Sequence, residues 1–517
     1  MKKFLACILT AVMTAGCLLS FAACSYSDSS GEFSGGFSTT NNGYEKDGAE
    51  VEKLISVTPS ERQLLFQEME YYNFIHFGIN TFTDREWGDG TESPEVFCPT
   101  SVDTDQWAEA IKASGSKGII LTAKHHDGFC LWPTEYTEYS VKNSPYKNGQ
   151  GDIVKELSES CKKYGLKFGI YLSPWDRHEP TYGTKAYDDF YVGQLEELLT
   201  NYGEIFAVWM DGAKGADAPD FEYDFERYFS TVRKLQPNAV ISIHGTDVRW
   251  IGNEDGKHRD EEWSVVSKNK DYNAGSQTGE NDKSNLAAIP DTAKDLGSRE
   301  ALAEYGADDL IWYPAEADIS IRRRAFNSYG GWFYHENEMN KSANKLFRVY
   351  LNTAGRNASF LLNVPPTKDG VLDADTVKKL KEFGDKLGAL YSNPISFAAY
   401  SGSAEKGMTE NAAVTALSAD SPSNDFMLPS DEDIIDLKLE KSQKVRYLVL
   451  RENLTYSQRV ERFDVYVKTL TGRWKKIEAC KLIGNKRIVL VGEETTEVRI
   501  FVRQSRSNPH FRHIALY

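Results

Sequence analysis

Three short runs hold the residues best suited to chemistry. They are Phe74-Ile75-His76-Phe77-Gly78, Lys124-His125-His126-Asp127-Gly128-Phe129 and Val208-Trp209-Met210-Asp211-Gly212-Ala213. Each run ends an apolar, β-prone stretch, so its His, Trp or Asp falls where a buried strand stops. Polar groups gathered at the ends of successive strands form a pocket suited to a polyol. Asp211 is the leading candidate for bond chemistry. It ends a strand, and Gly212 lets the chain turn away behind it. Cleavage of a glycosidic bond needs two carboxyl groups, one to stabilise or attack the anomeric carbon and one to protonate the leaving oxygen. The second must come from a later segment. The stretch from Arg249 to Trp263 offers Glu254, Asp255, Asp260, Glu261 and Glu262, and chemistry alone does not choose among them.

The adjacent His125 and His126 invite a zinc reading. Neighbouring residues rarely chelate one ion, however, and no HExxH spacing accompanies them. Hydrogen bonding to sugar hydroxyls is more economical, because a neutral imidazole offers one donor and one acceptor. Glu86-Trp87, just after the first strand, joins an acceptor to a stacking surface. A serine or cysteine nucleophile finds no support. There is no GxSxG elbow, and no Cys lies beside these His residues.

The elements that must position these groups follow a strand–helix rhythm from about Thr58. Strands are expected over 74–80, 118–125, 168–175, 206–212, 239–245, 263–266, 310–320 and 359–365. Amphipathic helices are expected over 104–114, 152–164, 188–202, 221–235 and 341–353, and a closing helix over 373–391. Eight apolar strands alternating with helices predict an α/β fold, a (β/α)8 TIM-like barrel over 58–392. A doubly wound open sheet is the alternative, but no glycine-rich nucleotide loop follows the first strand. Residues 267–309 are polar and read as a long loop over the barrel mouth. The rhythm then changes to short alternating strands over 445–451, 462–467, 487–491 and 498–503, which predict a C-terminal β-sandwich over 393–517. Residues 441–517 hold 17 Lys and Arg against 7 Asp and Glu. The favoured reading is a basic face docked on an acidic barrel, ahead of contact with an anionic polymer.

The whole chain of 517 residues has a formal net charge of −16, which argues against nucleic-acid binding. Lys2 and Lys3 precede an apolar run over 4–23 that ends in Ala22-Ala23-Cys24. This is similar to a bacterial lipoprotein signal over 1–24, with Cys24 as the lipidated residue, a flexible linker over 25–57 and export to the cell surface, simple secretion being the alternative. No second stretch is apolar enough to span a bilayer, so membrane contact is expected only through Cys24. Cys98, Cys130, Cys161 and Cys480 lack metal-ligand spacing and read as small buried hydrophobes.

The runs 76–88 (HFGINTFTDREWG), 124–129, 208–213 and 332–338 (WFYHENE) occur in order and resemble glycoside hydrolase family 29, the α-L-fucosidases, over roughly 58–390. The resemblance implies a retaining exo-hydrolase of fucosylated glycans, with no metal or other cofactor. It makes Asp211 the nucleophile, with His76, His125, His126, Tyr171 and Trp209 holding the fucose. Glu86-Trp87, the run 250–254, Arg259 and Glu262-Trp263 are similar to the branch that prefers α-1,3 and α-1,4 linkages. That branch points to Glu254 as acid/base, with Glu262 in reserve. Trp312 belongs to a further family-like run, expected near the mouth. Residues 323–330 depart from the pattern by separating Arg322 from the GWFYH run. A broad-specificity fucosidase, an α-L-galactosidase and a non-catalytic glycan-binding protein are the competing readings.

Overall fold

The computed structural model describes residues 32–33, 48–215, 218–245, 247–268, 295–323 and 331–517. The signal over 1–24 lies outside them, as does most of the loop expected over 267–309 and all but one residue of 323–330.

Eight parallel strands form the first domain: β1 Tyr71–Ile75, β2 Gly118–Lys124, β3 Lys167–Leu172, β4 Ile205–Met210, β5 Val240–Ile243, β6 Arg249–Trp250, β7 Ala315–Ser320 and β8 Ser359–Asn363. β8 pairs with β1, and a single parallel bridge, Ser242 to Val248, joins β5 to the start of β6. The barrel is thereby nearly closed. Its interior is filled by Tyr72, Phe74, Ile120, Tyr171, Trp209, Trp250 and their neighbours. Helices Thr104–Ala113, Ile153–Tyr164, Lys185–Asn201, Phe225–Leu235, Ala343–Asn352 and Ala374–Tyr391 bury their apolar faces on the outside. The first two start on side-chain caps, Asp103 and Asp152, which accept from the backbone three residues on.

Two expectations for the barrel change. The sixth strand is not 263–266. Val265–Ser267 instead pairs antiparallel with Leu310–Trp312 in a separate ribbon. The apolar run expected as one strand over 310–320 breaks at Tyr313-Pro314, where proline has no N–H to donate to a ladder. The true sixth strand is only two residues long, too short for a periodic signal. The first strand also ends early, and Ile79–Thr83 is helical.

The C-terminal domain is antiparallel. Strands Ile434–Glu452 and Arg487–Ser505, 19 residues each, run through its centre. Register shifts bend the former against the latter. The strands expected over 487–491 and 498–503 are thus one. The core is built from Ile435, Leu448, Phe463, Val489, Ile500 and similar residues. The basic face does dock on the barrel. Lys486 and Arg451 both pair with the buried Glu70 at the foot of β1, and Arg512 pairs with Glu68. Burial opposes the charge of Glu70, yet these two cations hold its carboxyl well below the usual range.

The linker expected over 25–57 ends sooner. Ala49–Ile55 is a helix whose Val51 and Leu54 are buried, and Leu54 packs with Trp312 and Leu454. Glu32–Phe33 pairs with Trp474 and Lys475. Of the four cysteines, Cys130, Cys161 and Cys480 are buried as expected, whereas Cys98 is exposed.

Candidate active site

β1, β2 and β4 each deliver a polar residue to the same end of the barrel. His76 follows β1, and its Nδ1 lies 2.8 Å from Asn363 Oδ1 at the end of β8. Asn363 Nδ2 donates to Ser320 Oγ and to the carbonyls of Gly331 and Trp332, which fixes the orientation of the amide. The facing Oδ1 is therefore an acceptor, so His76 Nδ1 carries the proton and Nε2 presents a lone pair. His126 repeats the device. Its Nδ1 lies 2.7 Å from Ser173 Oγ, whose own hydroxyl donates to Trp175 O at 2.6 Å. Burial is the main reason that His76 is lowered to about 3 and His126 to about 4, and it drives His125 well down too. All three rings are neutral at physiological pH. His125 stacks on Tyr171 at 5.6 Å, so both members of the pair turn toward the pocket at the strand end.

Asp211 follows β4. Tyr171 Oη donates to its Oδ2 at 2.9 Å, and the Ala213 N–H donates to Oδ1 at 2.7 Å. His126 Nε2 is 3.7 Å from Oδ2. The Asp211 side chain keeps 22% of its surface exposed while its neighbours are buried. It is thus fixed in orientation yet open to a ligand. Trp209 lies beneath, stacked on Tyr171 at 5.2 Å, and its Nε1–H is committed to Glu316 Oε1 at 2.7 Å. Trp209 is a floor under Tyr171, with its indole N–H taken by Glu316.

Glu86 works as a fastener. It accepts the backbone N–H groups of Gly331 and Trp332 and sits 2.6 Å from His335 Nε2. This seats the rings of Trp332 and Phe333 against His76 at 5.2 and 5.5 Å. Trp87 is 38% exposed at the rim, edge-on to His126 and Trp175. Asn363 and Ser173 were not singled out from the sequence, and Trp332, Phe333 and His335 stood only within the run 332–338, without a role. Asn363 closes the apolar run Phe360-Leu361-Leu362 and carries the same strand-end signal as His76.

Glu254 follows β6 on a turn stitched to β7. The Gly256 N–H donates to Asp318 O at 3.1 Å, and Asp255 bridges Ile319. Two other residues expected at the site, Glu262 and Trp312, lie elsewhere, and Arg259 pairs with the first. Glu262 is buried between Arg249 and Arg259, and its backbone O accepts from Asn357. The next residues lean on the C-terminal domain, where the Ser264 N–H donates to Gln458. Arg259 donates to Glu262 and to Ile251 O. Trp312 precedes β7, at the end of the barrel opposite the pocket, and its Nε1 donates to Gln67 Oε1 at 3.1 Å. Each belongs to a segment close in sequence to the mouth that the ribbon carries away from it.

A sequence profile for α-L-fucosidase matches residues 59–389. Alpha-L-fucosidase 1 of Arabidopsis thaliana is 40% identical over 468 residues, covering 89% of this chain and 87% of its own. A crystal structure of a putative α-L-fucosidase from Bacteroides ovatus superposes with a TM-score of 0.77 at 38% identity, over 92% of this chain and 76% of that one. A Ruminococcus gnavus family 29 fucosidase in complex with fucose gives 0.74 at 30% identity, over 93% and 97%. An open carboxylate on a strand end, ringed by neutral imidazoles and aromatic faces, is what this fold presents, and the chain belongs to the α-L-fucosidases, glycoside hydrolase family 29.

Proposed function

We propose that the enzyme is a retaining exo-α-L-fucosidase selective for α-1,3- and α-1,4-linked fucose on Lewis-type glycans, exported and held at a bacterial surface through lipid on Cys24. The observation that carries the mechanism is the Asp211 carboxylate, pinned by Tyr171 and Ala213 and still open to ligand. Two donated hydrogen bonds orient it. It attacks the anomeric carbon as the glycosidic C–O bond breaks, and the leaving oxygen takes a proton from Glu254. Water then displaces Asp211, giving its proton back to Glu254. The unprotonated Nε2 atoms of His76 and His126 accept fucose hydroxyls, and Trp332 and Phe333 offer apolar faces to the ring. The run Trp250-Ile251-Gly252-Asn253-Glu254 and the Glu86-Trp87 pair support the linkage preference through their likeness to that branch.

The test is fucose release from a Lewis-type trisaccharide beside p-nitrophenyl α-L-fucoside. Fast release from the trisaccharide with feeble action on the aryl substrate is expected. The reverse result points to broad specificity and overturns the linkage reading. Silence on both moves the assignment toward α-L-galactosides.

A further inference from the structure

Asp318 has no part in the mechanism above, yet it sits beside it. Its side chain enters the barrel from β7, one layer above Glu316, and is only 3% exposed. Oδ1 accepts the Trp250 Nε1–H at 2.9 Å. The turn that carries Glu254 is stitched along the same strand through Gly256 to Asp318 O and Asp255 to Ile319. A buried carboxyl with one neutral donor is an expensive object in a barrel core, because nothing in that contact compensates its charge. The groups that act on it are Glu254 from the loop, Glu316 below it on β7 and the Tyr72 hydroxyl of β1. All are acidic. Glu316 spends its own oxygens on Tyr72 and Trp209.

We propose that Asp318 is a positioning residue for the acid/base: the stitched turn brings Glu254 near its carboxyl at the mouth end of β7, and the two titrate as a coupled pair that keeps one proton. This rests on the reading of Glu254 as acid/base. Two carboxyls close together cannot both ionise easily, so the pair holds its last proton above the usual carboxylate range. Burial, then Glu254, pushes the Asp318 carboxyl well up, which agrees with such a pair. In the first step the pair passes that proton from Glu254 to the leaving oxygen and becomes doubly ionised. In the second it recovers one proton from the attacking water. Trp250 steadies Asp318 when it carries charge.

The test is the pH profile of kcat/KM on a Lewis-type trisaccharide with the full-length enzyme. In Asp318→Asn the like-charged neighbour is gone, so the alkaline limb moves down by about one pH unit or more. Turnover at pH 7 then falls about tenfold while turnover near pH 5 is nearly kept. p-Nitrophenyl fucoside, whose leaving group needs no proton, changes little across the same range. An alkaline limb that stays in place in folded Asp318→Asn overturns the proposal. Trp250→Phe serves if Asp318→Asn does not accumulate. Losing a donor to the charged form moves the limb up, and an unmoved limb again overturns the idea. Glu254→Gln, measured alongside, separates the two claims. Undiminished trisaccharide turnover in that variant defeats the reading of Glu254 itself.

Discussion

Asp211 stands at the end of a six-residue strand with a paired strand on either side. Glu254 stands four residues beyond a two-residue strand that joins β5 through one bridge. The first carboxylate is held by the barrel's own ladder and by Tyr171, itself stacked between His125 and Trp209. The second is held by a loop, and that loop is tied down from outside. Glu262 locks Arg249 to Arg259 in the interior, Ser264 leans on Gln458, and Lys481 pairs with Glu261. The nucleophile's position is thus a property of the barrel, whereas the position of the proposed acid depends on the C-terminal domain as well. A displacement requires an attacking group placed to within fractions of an ångström. A proton donor that serves different leaving groups tolerates a looser mount.

The largest effect should come from the rigid half. Asp211→Ala removes the attacking group and leaves Tyr171 and Ala213 to water, since the side chain is partly open. Turnover on any fucoside should drop by about 10⁴-fold or more, with the thermal midpoint within a few degrees of the parent. Full activity would break the assignment of this half outright. Glu254→Gln should divide substrates instead. The trisaccharide should lose about 10²–10⁴-fold, the range for general acid–base catalysis, and p-nitrophenyl fucoside far less on the bond-breaking step. Equal losses on both would mean that Glu254 is not the proton donor.

The external mount is tested through Glu262. Glu262→Gln leaves Arg249 and Arg259 buried without their shared counter-charge, at a cost of about 3 kcal/mol. Denaturant titration should show that loss. The informative readout is the ratio of trisaccharide to aryl turnover in the folded fraction. A lower ratio ties the clamp to the acid. An unchanged ratio with lowered stability would make the clamp purely structural and remove the contrast between the two halves.

The same contrast governs what the sequence made legible. Strand ends built on long apolar runs announced themselves, because an apolar stretch that stops at His76, His125 or Asp211 has one simple reading. The short sixth strand carried no period, so the next apolar run, Trp263-Ser264-Val265-Val266, stood in for it. The family resemblance set Glu262 and Trp312 at the mouth in expectation, whereas the ribbon of Val265–Ser267 and Leu310–Trp312 takes them to the foot and flank of the barrel. Trp209 was legible as a strand-end residue but not as a floor, since only the register across β3 and β4 shows that it stacks under Tyr171. Asp318 drew no role from the sequence, because burial against Trp250 is a long-range fact.

The smallest effect concerns the edge of the rigid half. His335 sits between Asp84 and Glu86, 2.6 Å from each. The hydrogen bond to Glu86 first, then that to Asp84, outweighs burial and raises the ring to about 9. An unfolded histidine titrates near 6.5. The stabilisation is therefore fully present below about pH 6.5 and is lost as the pH rises toward 9. Glu86 also holds the backbone of Gly331 and Trp332, so losing the imidazolium loosens the aromatic wall beside His76 without touching Asp211. Fucose affinity, measured by calorimetry between pH 6 and 10, should weaken a few-fold toward the alkaline end. His335→Gln should be weak throughout and nearly flat with pH, because a neutral amide makes no such pair. Its thermal midpoint should also fall less than the parent's between pH 7 and 10. A parent enzyme whose affinity stays level across that range would detach the wall from the Glu86 fastener. The pocket's aromatic side would then owe its position to packing on Phe74 and His76 alone.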